Sequence, residues 1–254
     1  GAAGGIGAAL ANALERLGAR LALVDVDSER LADLAAKLSS SHTTHAVDLA
    51  DMKRLPSLVA EVVDSHGRLD VLINNAGLTI HGLFADQTPE DLDRVLDVDL
   101  RAVMHLTHAA LPHLRLARGH VVLVSSMSGL LGFPFQASYG AAKFGVRGFG
   151  QALRAELSGA GVGVTTVMPG TIATRFLSRA RSHDNRASSA LGELMVRYGT
   201  PAEAVARATL RGMRSGRAEV RVGWDCWLVS ALNVAAPPLL PRAMAAATRL
   251  YSRR

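Results

Sequence analysis

Three residues of this 254-residue chain have types and spacings that could do chemistry: Ser126, Tyr139 and Lys143. Tyr139 and Lys143 stand four apart in the stretch Ser138-Tyr-Gly-Ala-Ala-Lys143, so on a helix phenol and ammonium share a face and can point at one substrate. A phenol with a pKa of about 10 is a poor base at neutral pH, and a fixed cation beside it favours the phenolate. Lysine is scarce, with Lys37, Lys53 and Lys143 set against 25 arginines. A Tyr–Lys pair by itself reads more readily as ordinary helix surface, so the weight falls on the surrounding segments.

The opening run, Gly1-Ala-Ala-Gly-Gly5-Ile-Gly7, leads into a helical pattern. Glycines permit tight turning and close backbone approach, and a helix N-terminus offers free N–H groups to a pyrophosphate. Asp25 ends the apolar run Leu21–Val24 and lies 24 positions after Gly1, near the spacing expected of a ribose-binding acid. A carboxylate there accepts hydrogen bonds from a ribose diol and repels a 2′-phosphate. No Arg or Lys occupies the glycine turn or position 26, so NAD is expected in preference to NADP. Asn74-Asn-Ala-Gly77 closes another apolar run with small residues that leave room for a nucleotide.

The elements that must position these residues alternate along the chain. Strands are predicted at Leu21–Asp25, Thr43–Asp48, Asp70–Asn74, His120–Ser126, Val162–Met168 and Glu219–Val222. Helices are predicted over 5–17, 28–38, 51–65, 89–115, 138–158 and 201–214. Continuous Val/Leu/Ile strands separated by helices imply one doubly wound, Rossmann-type α/β domain, with a parallel sheet covered on both faces. The glycine turn should follow a central strand, which sets the expectation of a first strand ahead of Gly1 and leaves any targeting segment open. The catalytic domain is expected over 1–223, with an apolar and basic extension over 224–254.

Composition narrows the class. One cysteine, Cys226, excludes an internal disulfide and any cysteine-type metal cluster, in keeping with a reducing cytoplasm. The best apolar run, Trp227 to Leu240, is interrupted by Ser230, Asn233, Pro237 and Pro238 and is too short to span a bilayer. The net charge of +6 divides into −3 over residues 1–174 and +9 over 175–254. Without aromatic interleaving or a nucleic-acid motif, the basic half reads as solvated surface. His105, His108 and His113 lie on one predicted helix but lack a third converging ligand, so no metal is expected.

In order and spacing these motifs resemble the short-chain dehydrogenase/reductase superfamily in its classical type, over about residues 1–223. The resemblance rests on Gly1, Gly5 and Gly7 with Ile6, on Asp48-Leu49, on Asn75-Ala76-Gly77, on Ser126 with Tyr139 and Lys143, and on Pro169-Gly170 with Thr174. It implies that Tyr139 exchanges a proton with the substrate oxygen, that Ser126 holds that oxygen, and that Lys143 binds the nicotinamide ribose and lowers the Tyr139 pKa. It assigns Asp48 and Leu49 to the adenine side, and Pro169, Gly170 and Thr174 to the nicotinamide side. Asp99 occupies the fourth catalytic position, where the family usually has an asparagine that helps hold a water in a proton path. An indirect role of that kind leaves Asp99 weakly coupled to Lys143. The family's threonine before the first glycine is also absent.

The resemblance places a substrate loop between Arg175 and Thr200, where Phe176, Leu177, Leu191, Leu194 and Met195 offer an apolar cover and Arg175, Arg179 and Arg181 a cationic one. Met127, Leu130, Leu131, Phe133, Phe135 and Gln136 add the other wall. The expected reaction is NAD-dependent hydride transfer between the cofactor and a lipophilic alcohol or ketone. The alternative is a noncatalytic dinucleotide-binding regulator that retains the fold. The resemblance implies a homodimer or homotetramer. The tail after Gly223 could lie on a membrane surface, fold over the substrate mouth or pack on another subunit; packing is the favoured reading and membrane contact a minority one.

Overall fold

The computed structural model of the chain describes residues 1–39, 42–176, 181–182 and 193–251. Helix α1 (Gly5–Glu15) rises out of the glycine turn and is followed by β1 (Leu21–Asp25), α2 (Ser28–Ala35), β2 (His42–Ala46), α3 (Leu55–His66) and β3 (Val71–Asn74). A two-residue strand β4 (Ile80–His81), α4 (Pro89–Leu96), α5 (Ala102–Ala117), β5 (His120–Val124) and α6 (Ala137–Glu156) come next. The chain then forms β6 (Gly163–Pro169), β7 (Arg181–Ser182), a short helix α7 (193–198), α8 (Ala202–Arg214), β8 (Glu219–Val222), α9 (Trp224–Ala235) and α10 (Leu239–Tyr251).

Local chemistry sets several of these boundaries. The Asp27 side chain accepts from the Arg30 amide and starts α2. Thr88 and Asp91 form a reciprocal capping box with Pro89 in the first turn of α4. Gly67, at φ 77°, ends α3 in the left-handed region.

All the strand pairs described are parallel. The order β3-β5-β6-β8 gives a four-stranded sheet, and β1-β2 form a separate pair. Strand β5 shows why helices cover both faces. Val121 and Leu123 pack with Leu55 and Leu58 of α3, Leu106 of α5 and Val146 of α6. The alternate residues Val122 and Val124 pack with Leu10 of α1 and Val205 of α8 on the other side. Period-two alternation across a sheet buried on both sides yields the Rossmann-like layering of helix, sheet and helix.

The predicted helix over 89–115 is not continuous. Residues Asp97–Arg101 form a π turn, in which the Ala102 amide donates to the Asp97 carbonyl five residues back, and it divides α4 from α5. The cause is packing: Val95 belongs to a cluster with Ile80, Tyr139 and Ala142, whereas Ala102 and Leu106 belong to the sheet cluster. One helix serves two neighbours, and an additional residue per turn makes the change. The tail, left unassigned by the sequence pattern, forms α9 and α10.

Strands β1 and β3 are not hydrogen-bonded to each other. Both line a cavity of about 620 Å³ walled by Leu10, Leu14, Leu23, Val59, Ile73 and Val103. Among the described residues no strand is paired to the edge of either that faces this cavity, where the Val24 carbonyl of β1 accepts from the glycine turn, at the Ala2 amide. A chain extended ahead of Gly1 by a β-forming apolar segment of about six residues should therefore unfold at a clearly higher temperature, because a strand in the slot satisfies two ladder edges and buries both faces. Differential scanning calorimetry on the two chains checks this, and coincident transitions would show that the slot does not accept a strand.

Candidate active site

Helix α6 places Tyr139 and Lys143 one turn apart on its buried side, at 8% and 3% exposure. The Lys143 Nζ lies 5.5 Å from the centre of the Tyr139 ring and donates to the Val124 carbonyl at 3.3 Å. Ser126 follows β5, its hydroxyl accepting from the Ser128 amide at 3.0 Å and hydrogen-bonding the Tyr139 phenol. The turn after it is pinned to α6, since Ser125 Oγ donates to the Lys143 carbonyl at 2.8 Å. A β carbon on Gly129 would fall 2.4 Å from Ser125 Oγ and 2.7 Å from the same carbonyl, so that turn tolerates only glycine at this spacing.

Asp99 is fully buried in the π turn, with Oδ2 3.0 Å from Lys143 Nζ and Oδ1 accepting from the Leu78 amide at 2.8 Å. The weak coupling expected from the sequence is thus corrected: the carboxylate touches the ammonium directly. Oδ2 takes no aligned hydrogen bond, so charge rather than geometry holds this contact. Gly77 makes the approach possible. A β carbon there would lie 2.8 Å from Asp99 Oδ2 and 3.1 Å from Lys143 Nζ.

The electrostatics follow from burial and these two charges. Burial pushes the Asp99 carboxyl up, against the stabilising Lys143 charge and Leu78 amide. Burial alone would push Lys143 down, but the Asp99 carboxylate and the Tyr139 oxygen outweigh it and hold the ammonium above the ordinary lysine range. Both partners are read as charged, because every polar neighbour of Nζ is an acceptor and the backbone partner of Asp99 is a donor. Tyr139 is held above the ordinary phenol range, chiefly by burial and further by Asp99, while Lys143 and the Ser126 hydroxyl pull it down. The lysine acts in the expected sense, and burial is the larger effect.

Ser126, Tyr139 and Lys143 open onto a cavity of about 1420 Å³. The same cavity is lined by Gly1, Gly5, Ile6, Asp25, Asp48 and Leu49, and by Asn75, Ala76, Gly77, Pro169, Gly170 and Thr174. Gly4 precedes α1 without a side-chain cap, which leaves the first amides of the helix directed at the cavity, the arrangement a pyrophosphate takes. The cradle is close-packed: a β carbon on Gly1 would lie 2.5 Å from Ala76 Cα, and one on Gly5 2.4 Å from Thr174 Cγ2. Asn75 Nδ2 donates to the Gly1 carbonyl at 2.8 Å, which ties the turn to the end of β3. Gly7 does not line this cavity. Its Cα faces the Gly1 carbonyl, 2.1 Å from where a β carbon would sit, so its part is to let α1 leave the turn.

Asp25 is buried, its Oδ2 accepting from the Ala3 amide at 2.9 Å and its Oδ1 from the Asp27 amide at 3.1 Å. Burial works against its charge, while the Asp27 and Ala3 amides favour the carboxylate. Two carboxylate oxygens have about four acceptor positions, so capacity for a diol is left. Three further cavity-lining residues had no sequence signal. Arg30 reaches from α2 to the Ala3 carbonyl, Arg94 of α4 pairs with Asp48 at 2.9 Å, and Asp225 of α9 accepts from the Thr171 amide at 2.6 Å. Each contact joins segments far apart in the chain. Leu177, Leu191, Arg179 and the side chain of Arg181 lie outside what the structure describes. Phe176 packs on Tyr139 with ring centres 5.9 Å apart, and Trp224 and Met244 bring the tail helices to the cavity wall. His105 and His108 are exposed on α5, away from this cavity.

Gly77→Ala should destabilise the fold by roughly 1–3 kcal/mol, through overpacking against Asp99 and Lys143. Gly148→Ala, inside α6 with open space at the β carbon, should instead stabilise by about 0.5–1 kcal/mol. Urea denaturation of both variants checks the contrast.

Comparisons with known proteins show the family and the fold. The profile of the short chain dehydrogenase family matches residues 1–185. SadH of Mycobacterium tuberculosis is 36% identical over 241 residues, which cover 91% of this chain and 87% of that protein. Dehydrogenase/reductase SDR family member 7B of Xenopus laevis is 34% identical over 258 residues, covering 97% of this chain and 79% of that protein. The crystal structure of a short chain dehydrogenase/reductase from Burkholderia phymatum in complex with NAD superimposes with a TM-score of 0.87, at 23% identity, over 94% of this chain and 92% of that one.

Proposed function

Since the chain belongs to the short chain dehydrogenase family of oxidoreductases, we propose that it interconverts a lipophilic secondary alcohol and its ketone, with NAD as the hydride carrier and Tyr139 as general acid and base. The observation that carries this reading is the convergence of Ser126, Tyr139 and Lys143 on one wall of a cavity that also presents an uncapped helix N-terminus and the Asp25 carboxylate. Bound there, a nicotinamide dinucleotide supplies the carbon that accepts or releases hydride.

The chain's own residues do the rest. The Ser126 hydroxyl orients the substrate oxygen toward the phenol, and Tyr139 Oη gives the proton to that oxygen or takes it. Lys143 offers its charge to the same oxygen and to ribose hydroxyls. Asp25 accepts from the adenosine ribose, and its negative charge disfavours a 2′-phosphate. Arg30, the nearby cation, is drawn toward Asp27 at 3.9 Å and the Ala3 carbonyl. Orientation and proton transfer are the protein's share of the rate.

The lipophilic substrate class follows from Met127, Phe133, Phe135, Phe176, Leu194 and Trp224, which line the cavity with Tyr139. Large apolar walls with a few convergent polar groups are the ordinary form of a small-molecule site. Of the expected substrate loop, Arg175, Phe176, Leu194 and Met195 line the cavity together with Trp224 of α9 and Met244 of α10.

Tyr139→Phe should retain NAD binding and lose turnover by about 10²–10⁴-fold, because the ring stays and the proton-transfer group goes. Steady-state NADH absorbance with a panel of lipophilic secondary alcohols and ketones, alongside calorimetric NAD titration, tests this. Wild-type rates in the Phe variant would remove Tyr139 from the chemistry. Asp25→Ala should weaken NAD binding and narrow the preference over NADP, also by calorimetry. Tighter binding of NADP than of NAD by the unaltered chain would overturn the assignment of Asp25.

A further inference from the structure

We propose that Asp99 is a positioning residue that sets the working direction: its carboxylate, in contact with Lys143, offsets the lysine's charge and keeps Tyr139 in the protonated, proton-donating form at neutral pH, so that the site favours ketone reduction. This rests on the hydride-transfer reading above and goes further by assigning a direction. The geometry is specific. Asp99 Oδ2 stands 3.0 Å from Nζ, and that Nζ is 5.5 Å from the Tyr139 ring. Both charged groups are out of solvent, at 0% and 3% exposure, where water screens little. The Leu78 amide fixes the other carboxylate oxygen, and Gly77 leaves no side chain to separate the pair.

Among the described residues, the charges nearest the phenol are those of this pair. The charges that act on the phenol are Lys143 from its own helix and Asp99 from the π turn. From the β5 turn come only the Ser125 and Ser126 hydroxyls and the Val124 carbonyl. On neighbouring elements, His81 of β4 stacks on Phe135, Asp91 of α4 closes a capping box with Thr88, and Arg175 borders the cavity ahead of Phe176. Burial and Asp99 both raise the phenol, in opposition to Lys143.

The step balances as follows. The ketone carbon gains hydride from the reduced nicotinamide, forming a C–H bond as the carbonyl π bond breaks. The carbonyl oxygen takes the Tyr139 proton, forming O–H and leaving a phenolate that recovers its proton from solvent. Reduction thus requires the phenol and oxidation the phenolate. Reduction falls, and oxidation rises, as pH passes through the Tyr139 pKa. Removing the Asp99 charge lowers that pKa, so both limbs move toward acid.

The test compares the unaltered chain, Asp99→Asn and the charge-keeping Asp99→Glu. In the unaltered chain, reduction should be near its maximum at pH 7 while oxidation still climbs toward alkaline pH. In Asp99→Asn, oxidation at pH 7, as a fraction of its alkaline plateau, should rise by about tenfold, the size expected when one charge a few ångströms away is removed. The reductive limb should move the same way, and Asp99→Glu should leave both in place. Asp99→Ser, small and neutral, serves if the Asn variant fails to fold. A second readout needs no turnover: tyrosinate absorbance is titrated with and without Tyr139→Phe, which isolates Tyr139 from Tyr198 and Tyr251. Its midpoint should fall when Asp99 is neutralised. An unmoved midpoint, a loss of rate with unmoved limbs, or wild-type oxidation complete at pH 7 would overturn the proposal. A lowered midpoint in a chain with no turnover on any NAD-linked substrate would sustain the charge coupling and defeat the hydride-transfer reading.

Discussion

Two opposite charges buried side by side, Asp99 and Lys143, dictate the architecture around them. An ion taken out of water costs several kcal/mol unless a partner and hydrogen bonds replace the solvent. Here the replacement comes from four segments: the π turn supplies the carboxylate, α6 the ammonium, the end of β5 a carbonyl, and the residue after Gly77 an amide. Each must arrive within a few tenths of an ångström. That requirement explains why glycine stands at 77 and 129, where any side chain would strike this group or the turn beside it. It also explains why Tyr139, one turn away on α6, responds to burial and to both charges at once.

Most of the sheet was legible because parallel strands buried on both faces are continuous apolar runs, and Leu21–Asp25 and Glu219–Val222 were read to the residue. The π turn was not, since Leu96-Asp-Val-Asp-Leu100 carries no Gly or Pro to mark a break in the helix. Strands β4 and β7 have two residues each, too few for any period. At the site, residue types and spacing singled out Ser126, Tyr139, Lys143 and Asp25, and the family resemblance added Asp48. The contacts of Arg30, Arg94 and Asp225 were hidden because each depends on where a distant segment packs. The direction of the Tyr139 shift was hidden for a different reason. Sequence shows which charges are near, while burial, the largest influence, is a property of the folded chain.

One fastening of the tail to the site is the Asp225 carboxylate. Asp225 accepts from the Thr171 and Cys226 amides, and a β carbon on Gly170 would lie 2.1 Å from it. Gly223, at φ 99°, lets the chain turn sharply from β8 into α9 beside that contact. Cys226 completes the junction from the buried side, its thiol pushed up to about 11, mainly by burial, and donating to the Met168 carbonyl. The segment from Pro169 to Thr174 is therefore held between the glycine turn at one end of the chain and α9 at the other.

The π turn has an angular consequence. An α-helix advances about 100° per residue, so one residue added within a turn sets everything after it out of phase by about that angle. Val95 on one side of the turn is buried against Ile80 and Ala142, while Ala102, Ala110 and Leu114 on the other side are buried in the sheet cluster. Straightening the helix would rotate one of these stripes out of its contacts by more than a quarter of a circle. The carboxylate between them is thus held in azimuth by aliphatic side chains that never meet a substrate, and a change of phase anywhere along 89–117 would be felt as a rotation at Asp99.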